Sequence, residues 1–320
     1  MVDRTKRPAE IPISPLVAAP VVSITHDNTR VVATLPRGDR VEILLFGANA
    51  LSWKTGNGKE QLFLSDKAIL DGSKPVRGGI PLVFPLFGPA QESHPATAKL
   101  PQHGFARNVR WEYLGKTSSE SFAIGKEASD ASVKIDFGLS PTEIDDKFKS
   151  AWPYSFGLTY SITLSPDELS TSLQVANTGT EAFEFQTLFH TYFATSDIAS
   201  THVTGLESNG FINKVPSPKQ TAAANEPIKF SGELDRVYTG AEKDIIINDN
   251  GKPSITIKRN ELPDVVVWNP WADKSKGMSD FGPEDGWKKM VCVEAGSVEK
   301  FSRLEGGETW EGQQIIKAHL

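Results

Sequence analysis

Residues Phe156–Val175 read FGLTYSITLSPDELSTSLQV, and this stretch decides the fold class. Apolar side chains occupy every second position as far as Leu164, and the alternation resumes from Leu169 after the turn at Ser165–Glu168. A period of two is typical of a strand with one buried face, and Ser-Pro-Asp-Glu is typical of a tight turn. The stretch therefore predicts an antiparallel β-hairpin.

Similar patterns extend in both directions from the hairpin. After a turn at Asn177–Thr180, phenylalanines at even spacing predict a third antiparallel strand within Ala182–Phe193. Further strands are predicted at Val21–Ile24, Val31–Leu35, Arg40–Phe46, Ala131–Phe137, Asp244–Ile247, Ser254–Lys258, Val265–Trp268 and Met290–Glu294. Helical patterns are scarce: Asp280–Trp287 can form at most a short turn, and Lys214–Ile228 is predicted to be a surface loop. The fold class is therefore all-β, a large sandwich of mostly antiparallel sheets.

Length and composition limit the kind of protein. The 320 residues are compatible with one domain over 21–320, preceded by a flexible leader at 1–20. A net charge of −6 leaves no broad basic surface for nucleic acid. The single cysteine, Cys292, provides no disulfide framework, which fits a reducing, cytoplasmic location. No stretch is long and apolar enough to cross a membrane, and a sandwich of this size is expected to be a monomer.

Two titratable residues on predicted strands are candidates for proton transfer. His190 shares a strand face with mainly polar side chains, so it projects toward a polar surface. Glu294 shares a side with Cys292 rather than with its valine neighbours, and partial burial there would raise the pKa of its carboxyl toward the range of a general base. Each also has a structural interpretation: His190 as a hydrogen-bonded strand residue, and Glu294 as a salt-bridged or solvated strand end.

Two arginine-bearing segments, Arg77–Gly88 and Leu100–Asn108, indicate an anion-binding sugar site. Glycines after Arg77 allow a ligand to approach the backbone, and a guanidinium can form two parallel hydrogen bonds to a phosphate. The second segment adds Arg107 and His103. The alternative interpretation is that both arginines are surface residues beside turn glycines.

Other residues carry weaker signals. Asp235 could bind a sugar hydroxyl or form a local ion pair, and Lys274 is a further candidate for phosphate binding because of its charge. The tryptophans at 268, 271 and 287 could stack on a sugar ring, although tryptophan is more often a core residue. The histidines show no paired spacing for a metal, and neither a phosphate-cradling nucleotide loop nor a serine nucleophile elbow is present.

Taken in order, these segments make the chain resemble the aldose 1-epimerase (mutarotase) superfamily, and within it the glucose-6-phosphate 1-epimerase branch. The resemblance spans most of the chain and rests on the segments Arg77–Pro81, Gln102–Arg107, Phe189–Phe193, Asp235–Tyr238, Val267–Trp271 and Val293–Gly296. It implies a β-supersandwich of the galactose mutarotase type, in agreement with the period-two pattern.

The resemblance also implies roles for particular residues. His190 would be the general acid and Glu294 the general base. The residues that would bind the substrate, a hexose 6-phosphate, are Arg77, Gln102, His103, Arg107 and Asp235. The implied reaction is ring opening and closure by proton transfer, which needs no metal and no cofactor. Two alternatives remain open: a mutarotase for unphosphorylated aldoses such as galactose, and a carbohydrate-binding protein without catalytic activity.

Overall fold

The structure is a computed structural model that describes residues 19–91, 94–118, 131–215, 219–221 and 225–320. All but the last two residues of the leader predicted for 1–20 lie outside these residues. The single domain predicted for 21–320 remains a prediction.

Strands make up most of the regular structure. The described residues form the strands β1 (Val21–Thr25), β2 (Arg30–Thr34), β3 (Arg40–Leu44), β4 (Asn49–Lys54), β5 (Leu82–Val83), β6 (Glu112–Ser118), β7 (Val133–Leu139), β8 (Phe156–Ser165), β9 (Glu168–Asn177), β10 (Phe183–Phe189), β11 (Tyr192–Ala194), β12 (Thr201–Thr204), β13 (Phe211–Asn213), β14 (Lys219–Thr221), β15 (Ile228–Lys229), β16 (Leu234–Tyr238), β17 (Ile245–Asp249), β18 (Lys252–Asn260), β19 (Asp264–Asn269), β20 (Met290–Leu304) and β21 (Thr309–Ala318). The α-helices are α1 (Asp146–Ala151) and α2 (Trp271–Lys276), and single 3₁₀ turns lie at Pro95–Thr97, Ala106–Asn108, Ile198–Ser200 and Gly286–Lys289.

These strands form three sheets. The smallest has the order β1-β2-β3-β4, and the largest has the order β15-β12-β17-β18-β21-β9-β8-β7-β6. The sheet that carries the candidate site has the order β14-β13-β16-β19-β20-β10-β5, with β11 also paired to β20. The strand pairs of this sheet are antiparallel, as are β8 with β9 and β9 with β21 in the largest sheet. The predicted all-β, mostly antiparallel fold class is confirmed.

The strand predictions are largely confirmed. Strands β8 and β9 pair continuously from Phe156 opposite Asn177 to Ser165 opposite Glu168, which is the predicted hairpin. Each of the eight other predicted strands overlaps an observed one, and the one expected at Met290–Glu294 is the beginning of the much longer β20. The short turn expected within Asp280–Trp287 agrees with the 3₁₀ turn that begins at Gly286.

Two local predictions differ from the structure in extent. The third antiparallel strand, predicted within Ala182–Phe193, is present as β10, but β10 ends at Phe189 and a separate strand, β11, begins at Tyr192. Of the surface loop predicted at Lys214–Ile228, residues 216–218 and 222–224 lie outside the described residues; the rest includes the short strand β14, and its last residue begins β15. The polar composition of this segment gives no strand pattern, because β14 and β15 depend on pairing with β13 and β12, respectively.

The two faces of the β20 sheet have different surroundings. Val291, Val293 and Ala295 of β20 belong to the main hydrophobic core, which takes residues from all three sheets. Met290 and Cys292 face the other way, into a smaller cluster that includes Tyr192 and Trp268. Alternation along a strand places Glu294 on this second face. The second face therefore presents the candidate site.

No helix within the described ranges combines the length and the apolar character that a membrane crossing needs.

Candidate active site

Strand register brings His190 and Glu294 together. Phe189 lies opposite Ala295 and Tyr192 lies opposite Cys292, so the two flanking pairs keep one register across the break between β10 and β11. That register places His190 opposite Glu294. The Nδ1 atom of His190 and the Oε1 atom of Glu294 are 3.4 Å apart. Strand pairing therefore brings together the two residues that were predicted to transfer protons.

Aromatic rings hold the imidazole of His190 in position. The ring stacks on Tyr192 with centroids 4.8 Å apart and planes at 10°. Trp268 meets the His190 ring edge to face at 6.0 Å, and His103 does so at 5.9 Å. Trp268 is buried in this cluster. Because three rings surround the imidazole, its orientation is set before a ligand arrives.

Burial decides the charge state of the pair. Glu294 is only 1 % exposed, and burial, followed by the neighbouring carboxylate of Asp235, raises the pKa of Glu294 well above its ordinary value. Burial, followed by the charges of Arg107 and Arg77, lowers the pKa of His190 well below its ordinary value. When the pair holds one proton, these directions favour a protonated Glu294 beside a neutral His190. The raised pKa predicted for Glu294 is found, whereas a charged His190 is disfavoured until a ligand changes its surroundings.

Both residues have buried polar atoms that lack a hydrogen-bond partner among the described residues. The contact between His190 and Glu294 lacks hydrogen-bond geometry, and neither His190 Nδ1 nor Glu294 Oε2 has a hydrogen-bond partner among the described residues. Buried polar atoms without partners are rare in native proteins. Both atoms are buried from solvent, so the pair keeps unused hydrogen-bonding capacity inside the site.

Arg77 lies at the same face, and the two residues that follow it pass so close to other backbone segments that only glycine fits there. A Cβ atom on Gly78 would lie 2.6 Å from the Phe63 carbonyl oxygen, and one on Gly79 would lie 2.3 Å from that of Ala50. The guanidinium of Arg77 donates two hydrogen bonds to the Asp280 carboxylate, at 3.3 and 3.2 Å.

Arg77 also contacts the aromatic cluster. Its Nη1 donates to the Tyr192 hydroxyl at 3.3 Å. Tyr192 and Asp280 raise the pKa of Arg77, which therefore stays charged. Because Asp280 compensates that charge, Arg77 is oriented as a hydrogen-bond donor but is not an isolated cation.

A tight loop delivers His103. At Gly104, with φ of 71°, a Cβ atom would lie 2.1 Å from the Phe84 carbonyl oxygen, so the loop can approach the end of β5 this closely only with glycine there. The Gly88 N–H donates to His103 Nδ1 at 3.2 Å, which leaves the proton of the neutral ring on Nε2. Burial, followed by the Arg107 charge, lowers the pKa of His103. His103 is therefore a neutral donor beside His190.

The same loop delivers Arg107. One Nη2 hydrogen bond, 3.0 Å long, goes to the Gln102 carbonyl oxygen, and the buried Nε has no partner among the described residues. Burial and the charge of Arg77 lower the pKa of Arg107 to about 10, so the group is charged at neutral pH. No described carboxylate oxygen lies within 4.0 Å of this guanidinium. Arg107 is thus a cation without a paired anion among the residues that the structure describes, and its charge acts on both His190 and Glu294.

Asp235 and Gln102 complete the set of predicted residues. Asp235 on β16 lies opposite Trp268 on β19, and Trp268 lies opposite Cys292 on β20. On the same face of the sheet, this cross-strand row of residues is next to the row that contains Glu294. Burial raises the pKa of Asp235. Gln102 is exposed, with its amide nitrogen 3.4 Å from His103 Nε2. All seven predicted residues therefore lie around one site, with Gln102 at its rim.

The site also contains residues that sequence reasoning did not single out. Tyr192 and Asp280 orient Arg77, and Lys214 lies near Asp235, His103 and Glu294. A tyrosine two positions after His190 could have been found, because both lie on one strand face. The partnership between Asp280 and Arg77 joins distant segments and has no sequence signal.

Three residues named as weaker candidates have other partners. Lys274 forms an ion pair with Glu233 at 2.7 Å. Trp271 and Trp287 pack against each other, with ring centroids 4.5 Å apart. Trp287 also packs against the cluster that contains Tyr192 and Trp268, so these side chains border the second face of the sheet and have partners of their own.

Among the described residues, the one group of donors that could hold a metal lies at the centre of the site. In the described part of the chain, donor atoms of His190, Cys292 and Glu294 all lie within 4.8 Å of one another. Imidazole, thiolate and carboxylate are all ligands of zinc. However, burial raises the pKa of the Cys292 thiol, and two guanidinium groups nearby oppose a cation. The donor set fits proton transfer by His190 and Glu294 more simply.

The fold and the paired histidine and glutamate define a mutarotase-like β-sandwich. A solved structure from Salmonella typhimurium, described as a candidate mutarotase, matches with a TM-score of 0.77 and 27% identity over 93% of this chain and 94% of that one. A galactose mutarotase related enzyme from Lactobacillus acidophilus shares the fold, with a TM-score of 0.67 and 16% identity over 94% of this chain and 98% of that one.

The chain belongs to the aldose 1-epimerase family, whose family model matches residues 30–317. A relative from Cenchrus ciliaris, described as a candidate glucose-6-phosphate 1-epimerase, is 36% identical over 94% of this chain and 88% of its own length. A relative of the same description from Escherichia coli strain K12 is 33% identical over 80% of this chain and 79% of its own length. The resemblance seen in the sequence is confirmed, and the protein is placed among the sugar epimerases.

Proposed function

We propose that this protein is a hexose-6-phosphate mutarotase, which interconverts the α and β anomers of glucose 6-phosphate and related esters. The observation that carries the proposal is Arg107, a cation with no carboxylate partner among the described residues, whose charge reaches the pair of His190 and Glu294. Arg107 is half-buried with a fully buried Nε atom, and a cation partly removed from water is costly without an anion unless a ligand supplies one. The descriptions of the relatives support the same substrate class.

The proposed reaction has two proton transfers. Glu294 removes the proton from the anomeric hydroxyl, and His190 donates a proton to the ring oxygen, so that the C1–O5 bond breaks and the aldehyde forms. Rotation about C1–C2 presents the other carbonyl face. Closure with both transfers reversed gives the other anomer and restores the protein. Each transfer typically contributes a factor of about 10² to 10⁴ in rate.

The substrate itself supports the protonation state that this reaction requires. In the free protein the shared proton favours Glu294, because burial opposes charge on both residues. An anomeric hydroxyl that donates to Glu294 stabilises the carboxylate, and a ring oxygen that accepts from His190 stabilises the imidazolium. Sugar binding therefore favours movement of the proton to His190, which is the starting state of ring opening.

The other site residues receive binding roles. Arg107 binds the phosphate, whereas Arg77, already neutralised by Asp280, donates to sugar oxygens. His103 donates from Nε2, and Asp235 accepts from a sugar hydroxyl. Gln102 contributes at the rim. The proposed chemistry uses no metal and no cofactor.

Two-dimensional exchange NMR tests this function directly. Equilibrated glucose 6-phosphate is observed with and without protein, and glucose and galactose are measured in parallel. We expect faster exchange between the α and β signals of the phosphate ester, and much less acceleration for either free sugar. Equal or greater acceleration of a free sugar would move the protein to the mutarotases of unphosphorylated aldoses. No acceleration of any sugar would favour a carbohydrate-binding protein.

A further inference from the structure

Lys214 lies between strand β13 and the loop that carries His103 and Arg107. It follows β13 directly, and its backbone N–H donates to the Asp235 carbonyl oxygen at 2.9 Å. Its Nζ lies 4.2 Å from the centroid of the Phe87 ring, which packs against the His103 ring at 5.4 Å. The ammonium group therefore lies between the strand that carries Asp235 and the loop that carries His103 and Arg107.

The cations around the site differ in whether an anion compensates them. Asp280 pairs with Arg77, and Glu233 pairs with Lys274. Within the described ranges, no carboxylate oxygen lies within 4.0 Å of either the Arg107 guanidinium or the Lys214 amine. As far as the described part of the chain shows, two positive charges near the acid–base pair thus lack a direct anionic partner.

The charge of Lys214 affects the pKa values of three titratable groups in the site. Burial is the largest influence on the pKa of His103, Asp235 and Glu294, and the Lys214 ammonium lowers the pKa of all three. A surface lysine directed into solvent would be screened from groups on two sides of a site. Lys214 is therefore close enough to interact with a charged ligand bound there.

We propose that Lys214 binds the phosphate of the substrate together with Arg107, and so helps to select a hexose 6-phosphate over a free hexose; this rests on the proposed function. A phosphate ester carries a charge of about −1.5 to −2 at pH 7, which one guanidinium does not balance. Arg107 supplies a planar, directional donor, and Lys214 supplies a compact charge on a long side chain.

A structural role for Lys214 makes a different prediction. An ammonium over the Phe87 ring is worth about 0.5–1 kcal/mol at an exposed site. If that contact were its whole contribution, removing the charge would lower thermal stability and affect phosphorylated and free sugars equally.

The test compares Lys214→Met, which keeps an apolar stem over Phe87, with Lys214→Arg, which keeps the charge. Lys274→Met is the matched control, because it removes a nearby lysine that already has a carboxylate partner. Exchange NMR gives kcat/KM for glucose 6-phosphate and for glucose, and inhibition by inorganic phosphate reports anion binding without the sugar. Thermal unfolding shows whether each variant is folded.

We expect Lys214→Met to lower the preference for the ester over glucose by about 10- to 100-fold, the effect of one charge-assisted hydrogen bond. Inhibition by inorganic phosphate should weaken by a similar factor, Lys214→Arg should recover most of the preference, and Lys274→Met should match the parent protein. An unchanged preference in a folded Lys214→Met would overturn the role of Lys214 alone. A parent protein with no preference for the ester would instead overturn the proposed function.

Discussion

At the scale of single residues, the proposed activity depends on one proton shared by His190 and Glu294. His190 Nδ1 and Glu294 Oε1 are 3.4 Å apart in a buried site, where burial raises the pKa of Glu294 and lowers that of His190. The proposed reaction needs two groups, because ring opening removes one proton from the sugar and adds another to it.

Removing either member of the pair should therefore abolish most of the rate. We expect Glu294→Gln and His190→Asn each to lower kcat by about 10² to 10⁴-fold, with a smaller change in KM, because each removes one proton transfer. Exchange NMR measures the rates. Glu299→Gln, an exposed position on the same strand, is the control. Retained turnover in both folded variants would rule out this mechanism.

The shared proton also predicts a bell-shaped dependence of kcat/KM on pH, because kcat/KM reports the titrating groups of the free protein. Activity should fall at low pH, where the pair takes up a second proton, and at high pH, where it loses its only one. Because burial lowers the pKa of His190 and raises that of Glu294, the acid limb should lie below the ordinary histidine pKa of about 6.5 and the alkaline limb above the ordinary glutamate pKa of about 4.3.

The pH measurement needs a control for the substrate. A phosphate ester itself titrates near pH 6, so the profile should be repeated with glucose 6-sulfate, whose charge is constant in this range. A flat profile with either ester would contradict the shared-proton assignment.

Arg107 can be tested against a neighbouring arginine. We expect Arg107→Met to raise KM for glucose 6-phosphate by about 10- to 100-fold, and that for glucose much less, because only the ester presents an anion to this cation. Steady-state exchange rates over a range of substrate concentrations give KM. Arg110→Met, an exposed position in the same part of the chain, should have no such effect. Equal changes for both sugars would mean that Arg107 does not bind phosphate.

At the scale of structural elements, strand β20 and the loop around Gly104 build the site from two sides. Strand β20 pairs with β10, β11 and β19, so it fixes Glu294 opposite His190 and beside the row of Asp235. The loop is held against the end of β5, where the N–H groups of Phe105 and Ala106 donate to the Phe84 carbonyl oxygen at 2.9 and 3.2 Å.

The loop geometry predicts an unusual sensitivity at Gly104. We expect Gly104→Ala to destabilise the protein by about 3 kcal/mol or more and to lower kcat/KM, because the new Cβ would overlap the Phe84 carbonyl and displace His103 and Arg107. Denaturant unfolding and exchange NMR measure the two effects. Gly58→Ala is the control: its φ of 83° is also positive, but nothing lies within 4 Å of the new Cβ. Similar losses in the two variants would show that the close approach at Gly104 is unimportant.

At the scale of the whole molecule, one core connects the sheets. The main cluster contains Val41 of the smallest sheet, Val293 of the site sheet and Tyr160 of the largest sheet. Buried aromatic residues link the site sheet to the largest sheet, as where Tyr160 stacks on Phe189 with centroids 5.9 Å apart. A shared core of this kind supports cooperative unfolding.

We therefore expect a single thermal transition for residues 21–320. Differential scanning calorimetry should give a calorimetric enthalpy equal to the van't Hoff enthalpy. A midpoint that does not depend on protein concentration would agree with the predicted monomer. Two resolved transitions would instead show that the sheets unfold as separate units.

The strands that the sequence predicted are those whose pattern is local. Alternation in Phe156–Val175 needs only neighbouring residues, so it identifies β8 and β9 without knowledge of the partner strands. Strand β21 was missed, because the run Gly312-Gln313-Gln314 breaks the apolar alternation; Gln314 is nevertheless buried and donates to the Thr191 hydroxyl. Its place is set by pairing with β9 and β18.

For the site, the sequence by itself determined which residue types are present and on which strand faces they lie. The resemblance to a known family then grouped His190, Glu294 and the two arginines. Only the tertiary structure decided that β10 breaks at His190 without losing register with β20. It also decided that Asp280 neutralises Arg77, while Arg107 has no such partner in the described part of the chain. The physical reason is that side-chain periodicity is a local property, whereas strand register and charge compensation depend on segments that meet only in the folded chain.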